Sequence, residues 1–276
     1  MTIDDHDRGL RHDLGVMTRR RALLALGLGA VTAAGCAGAT DPEAPQAAPQ
    51  ETAGPYPGDG SNGPNVLIES GVVRSDITTS FGSCSGVAEG VPATLTLTLQ
   101  DLAADGAPGA GMAVYLWHCD REGRYSLYSP GATEQNYLRG VQVADDSGQV
   151  SFTTIFPACY PGRWPHFHFE VFDSLERAVA GSQARLTSQI ALPEQACSEV
   201  YDADPGYSAS IAHLAALSLD NDGVFGDGWD AELASVEGSS AAGLDIALTV
   251  GVAEKSQNTL GDSGFGGPPP GGPPPR

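Results

Sequence analysis

The stretch Thr94-Leu95-Thr96-Leu97-Thr98-Leu99 alternates strictly between a polar and an apolar residue. This period of two is that of a β-strand, whose successive side chains point to opposite faces of a sheet. Val114-Tyr115-Leu116-Trp117 is interpreted in the same way. Further strands, separated by turn residues, are predicted at residues 149–156, 167–172, 185–192 and 245–252. The chain is therefore expected to be all-β, a sandwich of mostly antiparallel strands with long loops, and only residues 211–219 are expected to be helical.

The N-terminal residues 1–36 differ from this middle in composition. Thr18-Arg19-Arg20-Arg21 precedes an apolar run from Ala22 to Ala34, as in a twin-arginine export signal. The run is shorter than the roughly 20 residues that span a bilayer, so no transmembrane anchor is expected there. Cys36 follows small residues, as in a bacterial lipobox, and a lipid on it would attach the protein to a membrane. Ala33 stands where that motif usually has leucine, so cleavage and release is the alternative. Either way we expect an exported protein that is extracellular, periplasmic or held at the cell surface.

Two further segments are expected to lie outside the folded domain. Residues 37–50 are rich in Ala, Pro and Gln, which predicts a flexible linker. Residues 256–276 are rich in Gly and Pro, which predicts a disordered tail, with binding to an SH3-like partner as the alternative. The domain itself is therefore expected at residues 51–255, one unit of all-β size.

The chain is strongly acidic, with 34 Asp and Glu against 14 Lys and Arg and a formal net charge of −20. Nucleic acid is therefore an improbable partner. A solvated acidic surface that keeps an exported protein soluble explains the charge better than an acidic binding patch does. Composition leaves the oligomeric state open.

Apart from Cys36, the cysteines are Cys84, Cys119, Cys159 and Cys197. An even number in an exported chain predicts two disulfides, for which three pairings exist. Buried free thiols are the alternative, because the domain is large enough to fold without cross-links. No C-x-x-C spacing indicates a zinc site or a redox pair.

The chemistry is concentrated between Tyr160 and Glu170, in the stretch Tyr-Pro-Gly-Arg-Trp-Pro-His-Phe-His-Phe-Glu. His166 and His168 alternate with two phenylalanines, so on a strand both imidazoles project from one face and both phenyl rings from the opposite, apolar face. A bare H-x-H would more often be two histidines that face solvent. Tyr160 and Arg163 change that balance in favour of a metal site with a charged neighbour.

A second phenol, Tyr125, follows Gly123 in a loop just after a predicted strand. With Tyr160 it offers two anionic oxygens beside the two imidazole nitrogens. Zinc prefers Cys, His and carboxylate ligands. A phenol with a pKa near 10 loses its proton only to a strongly polarising hard cation, so the pair indicates ferric iron.

With these residues the sequence resembles the intradiol ring-cleavage dioxygenases, the family of catechol 1,2-dioxygenases and protocatechuate 3,4-dioxygenases. The resemblance runs from about residue 51 to residue 252. It is carried by stretches that occur in the order and spacing of the family: Thr52-Ala53-Gly54-Pro55-Tyr56, Trp117-His118-Cys119-Asp120, Gly123-Arg124-Tyr125-Ser126, Leu138-Arg139-Gly140, Asp146-Ser147-Gly148, and Tyr160 with Arg163, His166 and His168. The tether, the cysteines and Asp222-Gly223-Val224-Phe225 look most like an exported, single-chain branch.

The resemblance implies one non-haem Fe(III) per chain. Tyr125 and His166 would be its equatorial ligands, and Tyr160 and His168 its axial ones, with a hydroxide in the fifth position. Tyr160 would also leave the metal and accept a proton when a catechol binds.

The resemblance also implies residues around the ligands. Arg163, assisted by Gln189, would stabilise the negative charge that develops on the ring. Gly54 and Pro55 would line the substrate mouth. Trp164 stands where the family often has proline, and we expect it to narrow the pocket or to stack on an aromatic substrate.

Several residues compete for these roles. Tyr128 is a second candidate phenolate, but the G-x-Y pattern of the family selects Tyr125. Tyr56 is expected to pack or to form a substrate wall, and His118 to be a hydrogen-bonded structural histidine. Arg139 is expected to anchor a loop by pairing with a carboxylate, and Asp220-Asn221-Asp222-Gly223 to be a turn and not a calcium loop, because the later ligands are missing.

The resulting hypothesis is an exported ferric dioxygenase. It would cleave the aromatic ring of a catechol-type substrate between its two hydroxyls, with a small aromatic diol and dioxygen as its partners. The alternatives are an exported β-sandwich protein that binds iron, or one that binds a polyphenol, in each case without turnover.

Overall fold

The computed structural model describes residues 46–254. The predicted export signal with Cys36, the linker up to residue 45 and the Gly/Pro-rich tail at 256–276 lie outside the described residues. Within 46–254, no helix is both long and apolar enough to cross a membrane.

The described residues form nine β-strands and three short α-helices. The strands are β1 Pro92–Asp101, β2 Ala107–Pro108, β3 Ala113–Trp117, β4 Arg139–Val143, β5 Gln149–Ile155, β6 His166–Phe172, β7 Leu186–Ala191, β8 Ser235–Ser239 and β9 Gly243–Val252. The helices are α1 Leu175–Val179, α2 Glu194–Ala203 and α3 Ser208–Leu214.

The strands form two sheets. One has the order β2-β1-β9-β8, with β5 also paired to β1, and its β1–β9 pair is parallel while its other pairs are antiparallel. The other sheet, β4-β3-β6-β7, is antiparallel throughout. Leu95 and Leu97 of β1 share one buried core cluster with Phe167 and Phe169 of β6. The predicted all-β sandwich is therefore confirmed.

The predicted helix at 211–219 is wrong in its bounds and in being alone. The helix there runs from Ser208 to Leu214, and both α1 and α2 were missed. In α2, Cys197, Val200 and Tyr201 are buried at the i, i+3, i+4 spacing of one helix face, a pattern too short to be distinct in the sequence.

A segment without regular structure crosses the antiparallel sheet before the first strand. We call residues 47–58 the strap. The backbone N–H of Ala48 donates to the Gly251 carbonyl at 2.9 Å, and that of Glu51 donates to the Thr187 carbonyl at 2.7 Å. Farther along, the Tyr115 hydroxyl donates to the Pro57 carbonyl at 2.6 Å. These contacts hold the strap against both sheets.

The predicted disulfides are absent from the described residues, where Cys84, Cys119, Cys159 and Cys197 are all free thiols. The last three are buried in the core, and burial raises the pKa of the Cys159 thiol to about 12. A domain of this size buries enough apolar surface to fold without cross-links, so here the alternative of buried free thiols holds.

Candidate metal centre

Strand β6 positions two imidazoles on one face of the antiparallel sheet. Its residues are all buried, and His168 lies opposite Trp117 of β3 and opposite Gln189 of β7. His166 shares the face of His168 because side chains alternate along a strand. Phe167 and Phe169 consequently enter the core between the sheets, as predicted.

Four side chains converge at this face. The Nε2 atoms of His166 and His168 are 3.0 Å apart. The hydroxyl oxygens of Tyr125 and Tyr160 lie 3.4 Å and 3.3 Å from His166 Nε2 and 3.3 Å from each other. The structure thus brings together all four residues that were predicted as ligands, although they come from a loop, a turn and a strand.

Burial keeps all four groups uncharged in the absence of a cation. It lowers the pKa of His166 to about 3 and that of His168 well below its usual value, the latter with help from neighbouring His166. It also raises the pKa of Tyr160 to about 12 and that of Tyr125 well above 10. Neutral imidazoles are ready to bind a metal, whereas the phenols need a strongly polarising ion to lose their protons.

The nature of the donors decides which metal fits. Among residues 46–254, no three His, Cys, Asp or Glu side chains group as a metal site, so a metal held at this cluster would need the two tyrosines as ligands. His166 Nδ1 faces the Trp164 carbonyl, which fixes that nitrogen as the donor and leaves the lone pair of Nε2 directed at the cluster. Two phenols and two imidazoles in a buried position suit ferric iron.

The loop that carries Tyr125 is held by Asp120. The Oδ1 atom of Asp120 accepts hydrogen bonds from the backbone N–H groups of Glu122 and Arg124 at 3.0 and 2.9 Å, and its Oδ2 accepts one from Arg124 Nε at 2.9 Å. Gly123 turns the chain with a φ of +79°, and a Cβ there would lie 3.2 Å from Tyr160 Cβ. Glycine therefore allows the two phenols to approach each other.

The strap reaches the cluster at Gly54. This residue has a φ of +68°, and a Cβ on it would lie 3.2 Å from His168 Cε1 and 3.8 Å from His168 Nε2. Its backbone therefore covers one side of the donors, and its contact with a substrate stays a prediction. Pro55 is exposed, and its carbonyl accepts a hydrogen bond from Asn62 Nδ2 at 2.7 Å. Its contact with a substrate stays a prediction.

Trp164 was expected to narrow the pocket or to stack on a substrate, but its side chain is buried in the core. Its indole is 2 % exposed and Nε1 donates to the Leu192 carbonyl at 2.8 Å. The ring belongs to the core cluster. In this arrangement Trp164 contributes its backbone to the site, through the carbonyl beside His166, and a direct contact with substrate stays a prediction.

Arg163 and Gln189 lie beside the donors and are joined to each other. Arg163 Nη2 donates to Gln189 Oε1 at 2.6 Å, and Gln189 Nε2 donates to the Thr52 carbonyl of the strap at 2.9 Å. Arg163 Nε donates to Asp222 Oδ2 at 3.0 Å. Sequence reasoning missed Asp222 as a partner of the site, although the stretch Asp222-Gly223-Val224-Phe225 within the resemblance was a signal that could have found it.

The competing residues take other positions. The Tyr128 hydroxyl donates to Asn62 Oδ1 at 2.7 Å and accepts from the Gly58 N–H at 2.9 Å, away from the four donors. The ring of Tyr56 packs between Tyr125 and Tyr128, with centroid distances of 4.9 and 5.3 Å. His118 is a buried structural histidine, as predicted, with Nε2 2.6 Å from Thr154 Oγ1.

The expectation for Arg139 is wrong in its partner. Within residues 46–254 this fully buried guanidinium has no hydrogen bond to a carboxylate and instead donates to neutral oxygens: Tyr56 O, Pro57 O, Ser126 O, Ser126 Oγ and Tyr115 Oη. The fixed fork of five N–H donors suits these converging acceptors. Arg139 thereby ties the strap to the loop that carries Tyr125.

Comparisons with known proteins agree with the predicted family and fold. Residues 73–191 match the family model described as Dioxygenase, a range that includes all four donors, Arg163 and Gln189. The intradiol ring-cleavage dioxygenase from Tetranychus urticae has a similar fold, with a TM-score of 0.58 and 24 % identity over 75 % of this chain and 95 % of that one. Over residues 73–191 the chain is thus similar to the intradiol ring-cleavage dioxygenase family.

A curated relative in the same family is the chlorocatechol 1,2-dioxygenase of Rhodococcus opacus. It is 36 % identical over 55 residues, which is 20 % of this chain and 21 % of the relative. The chain therefore spans about a fifth of the length of the curated relative it matches. The predicted resemblance to this family is confirmed over residues 73–191, and the predicted exported branch stays a prediction.

Proposed function

We propose that this intradiol-family protein is a non-haem ferric dioxygenase. It would open the ring of a catechol-type substrate between the two hydroxyl-bearing carbons and incorporate both atoms of dioxygen. The observation that carries the proposal is the convergence of two phenols and two imidazoles, with donor atoms 3.0 to 3.4 Å apart, in a buried position.

Tyr125, Tyr160, His166 and His168 would hold the iron. When bound, Fe(III) would supply the Lewis acidity that binds a catechol as its dianion and withdraws electron density from the ring. A phenol loses its proton only to a strongly polarising ion, which favours Fe(III) over Fe(II) or zinc for this set of donors. Neither phenol is expected to ionise at neutral pH without it.

The two tyrosines differ in a way that divides their roles. Tyr125 is 2 % exposed and packs against Tyr56 at a centroid distance of 4.9 Å, so it is held firmly. Tyr160 is only partly buried, and the two residues after it, Pro161 and Gly162, are exposed. Tyr160 is therefore the phenol that can move, and its Oη would accept a proton from a substrate hydroxyl.

Arg163 would supply positive charge beside the ring. Its guanidinium lies close enough to Tyr160 to oppose the rise in that residue's pKa, so it stabilises an anion at this position. Gln189 fixes the guanidinium by accepting from Nη2 at 2.6 Å. A fixed cation in a water-poor site stabilises developing negative charge without reorganising at the moment of reaction.

Oxygen uptake by the iron-loaded protein tests the proposal. Protein expressed with ample iron is expected to contain about one iron per chain and to show a visible tyrosinate-to-iron absorption band, which catechol shifts when air is excluded. Admitting isotopically labelled dioxygen should then place both labelled atoms in a ring-opened diacid. A colourless, iron-free protein would overturn the site. A coloured protein that neither responds to catechol nor consumes oxygen would be an iron-binding protein without turnover.

We also infer that the protein is exported, from the twin-arginine motif at Thr18–Arg21 and the apolar run after it. Lipidation of Cys36 would hold it at a membrane. Fractionation of cells that produce the wild type and the Cys36→Ala variant tests both points. Membrane-bound wild type and released variant support lipidation, release of both supports simple cleavage, and retention of both in the cytoplasm contradicts export.

A further inference from the structure

Asp222 is a buried carboxylate, and each of its two oxygens accepts two hydrogen bonds. The residue is 3 % exposed. Its Oδ2 accepts from Arg163 Nε at 3.0 Å and from the Trp164 backbone N–H at 2.7 Å. Its Oδ1 accepts from the backbone N–H groups of Val224 and Phe225 at 2.8 and 3.2 Å. One side chain thus joins its own turn to the segment that carries Arg163.

The first effect of this carboxylate is on the guanidinium. Arg163 is bound along one edge by Asp222 through Nε and at Nη2 by Gln189 Oε1, at 2.6 Å. Two anchors on different nitrogens of a planar group fix both its position and its rotation. Gln189 is anchored in turn to the Thr52 carbonyl at 2.9 Å, so the arrangement ends on backbone.

The second effect is on a metal-ligating side chain. The Trp164 N–H donates to Asp222, while the carbonyl of the same residue accepts from His166 Nδ1. A hydrogen bond to the outer nitrogen orients a ligating imidazole and raises its basicity. Asp222 therefore steadies, through one residue, the group that orients His166.

We propose that Asp222 is the positioning residue of this site, which holds Arg163 beside the substrate ring and braces His166 through the backbone of Trp164. The inference rests on the proposed dioxygenase function. It assigns to Asp222 no contact with substrate or metal.

Loss of the Asp222 charge and loss of its positioning effect should change the rate of turnover in opposite directions. The negative charge of Asp222 offsets part of the positive potential that Arg163 offers to the ring, so an effect of charge alone would make turnover faster without it. Loss of position would make turnover slower, because displacement of a charged group by about 1 Å can cost about a hundredfold in rate. The direction of the change therefore separates the two effects.

The experiment compares Asp222→Asn with Asp220→Asn in the iron-loaded protein. Asp220 is an exposed carboxylate two positions earlier in the same loop and is the matched control. For Asp222→Asn we expect kcat to fall about 10- to 100-fold, a nearly unchanged KM, a retained visible band, and faster release of iron to a chelator. Asp220→Asn should match the wild type in all four.

A double-mutant cycle distinguishes positioning from a general structural role. In an Arg163→Lys background the guanidinium is already gone, so Asp222→Asn should lower kcat far less than it does in the wild type. Equal losses in both backgrounds would overturn the proposal. So would an Asp222→Asn variant whose kcat equals or exceeds that of the wild type.

Two further measurements keep the proposal testable if a variant or the enzyme fails. Asp222→Glu retains the charge but displaces it by one methylene, and it should also slow turnover if Asp222→Asn does not fold; unchanged turnover in Asp222→Glu would overturn the proposal. If the wild type binds iron but shows no turnover, the proposed function fails separately. The rate of iron release then tests the role of Asp222 by itself, because release from Asp222→Asn at the wild-type rate would overturn the proposed bracing of His166.

Discussion

The indole of Trp117 lies flat against the imidazole of His168, with the ring centroids 5.0 Å apart and the planes inclined by 5°. His168 Nδ1 is buried and has no hydrogen-bond partner in the described part of the chain, whereas His166 Nδ1 faces a backbone carbonyl. The two imidazoles are therefore held by different means, one by a hydrogen bond and the other by a stacked ring. Trp117 is itself stacked on Tyr115 at 4.9 Å.

Replacing this stacked ring should loosen the metal. We expect Trp117→Leu to speed the release of iron to a chelator by about tenfold, since groups that orient a ligating histidine typically change metal affinity by this order. Phe156→Leu removes a buried aromatic ring that packs on Tyr201 and controls for general damage to the core. Equal rates of release from the two variants would show that the stacking has no special role.

The phenols can be tested by colour. Tyr125→Phe should abolish the visible band or shift it strongly, because the variant loses the more firmly held phenolate. Tyr160→Phe should change the band and also slow the deprotonation of an added catechol. Tyr128→Phe is the matched control, because that phenol bonds to Asn62 and Gly58 and not to the cluster. A band that survives unchanged in both cluster variants would contradict the assigned ligands.

Substitution of Gly54 should have two effects that can be measured separately: backbone strain and a new contact with His168. Gly54→Ala is expected to cost about 1–2 kcal/mol in the free energy of unfolding because of its positive φ, and also to reduce iron binding because the new Cβ meets His168. Gly82→Ala has almost the same φ, +67° against +68°, and nothing within 4 Å of the new Cβ. It should therefore show the strain without the loss of iron. Thermal unfolding and iron content measure the two effects.

Arg139 should be important for stability although no carboxylate in the described part of the chain is hydrogen-bonded to it. Arg139→Ala leaves buried carbonyl and hydroxyl oxygens without donors and opens a cavity, so we expect a loss of about 3 kcal/mol or more in the free energy of unfolding. Arg177→Ala, at an exposed position on α1, should change it by less than about 0.5 kcal/mol. Urea denaturation of both variants checks this difference.

Glu232 should make the fold less stable as the pH rises from about 4.5 to about 8. Burial, with a contribution from the charge of Glu51, raises the pKa of Glu232 from 4.5 to about 8. The unfolded chain loses this proton near pH 4.5 and the folded one only near pH 8, so the group's contribution to stability is lost as the pH rises through that window. Glu232→Gln should flatten this decline and melt at a higher temperature than the wild type at pH 8, whereas exposed Glu237→Gln should not.

Much of the fold was predictable because period-two alternation marks strands that are buried on at least one face. The strands with that pattern, such as β1 and β6, were found close to their true bounds. Strand β8 was missed because most of its residues are exposed and it is held by pairing with β9. Strand β4 was missed because it begins with Arg139 and Gly140, whose burial depends on acceptors from distant segments.

The four donors were predictable for a different reason. Each sits in a short motif whose spacing is visible locally, such as Gly123-Arg124-Tyr125 and His166-Phe167-His168. The contact of Asp222 with Arg163 and the stacking of Trp117 on His168 were not predicted, because each joins segments that are far apart in the chain. For Asp222 the only signal was the stretch Asp222-Gly223-Val224-Phe225 within the resemblance. The predicted disulfides and the carboxylate partner of Arg139 were wrong because residue type alone does not specify which neighbours the fold supplies.

The position of the strap has a consequence for how this protein can diversify. Donor side chains and Arg163 belong to the sandwich and its loops, whereas Gly54, which covers them, belongs to a segment outside every sheet. That segment is fastened through its own carbonyl groups at Thr52, Tyr56 and Pro57, which any side chain sequence can provide. Substitutions between these fastening points can therefore reshape access to the centre while its chemistry is inherited unchanged.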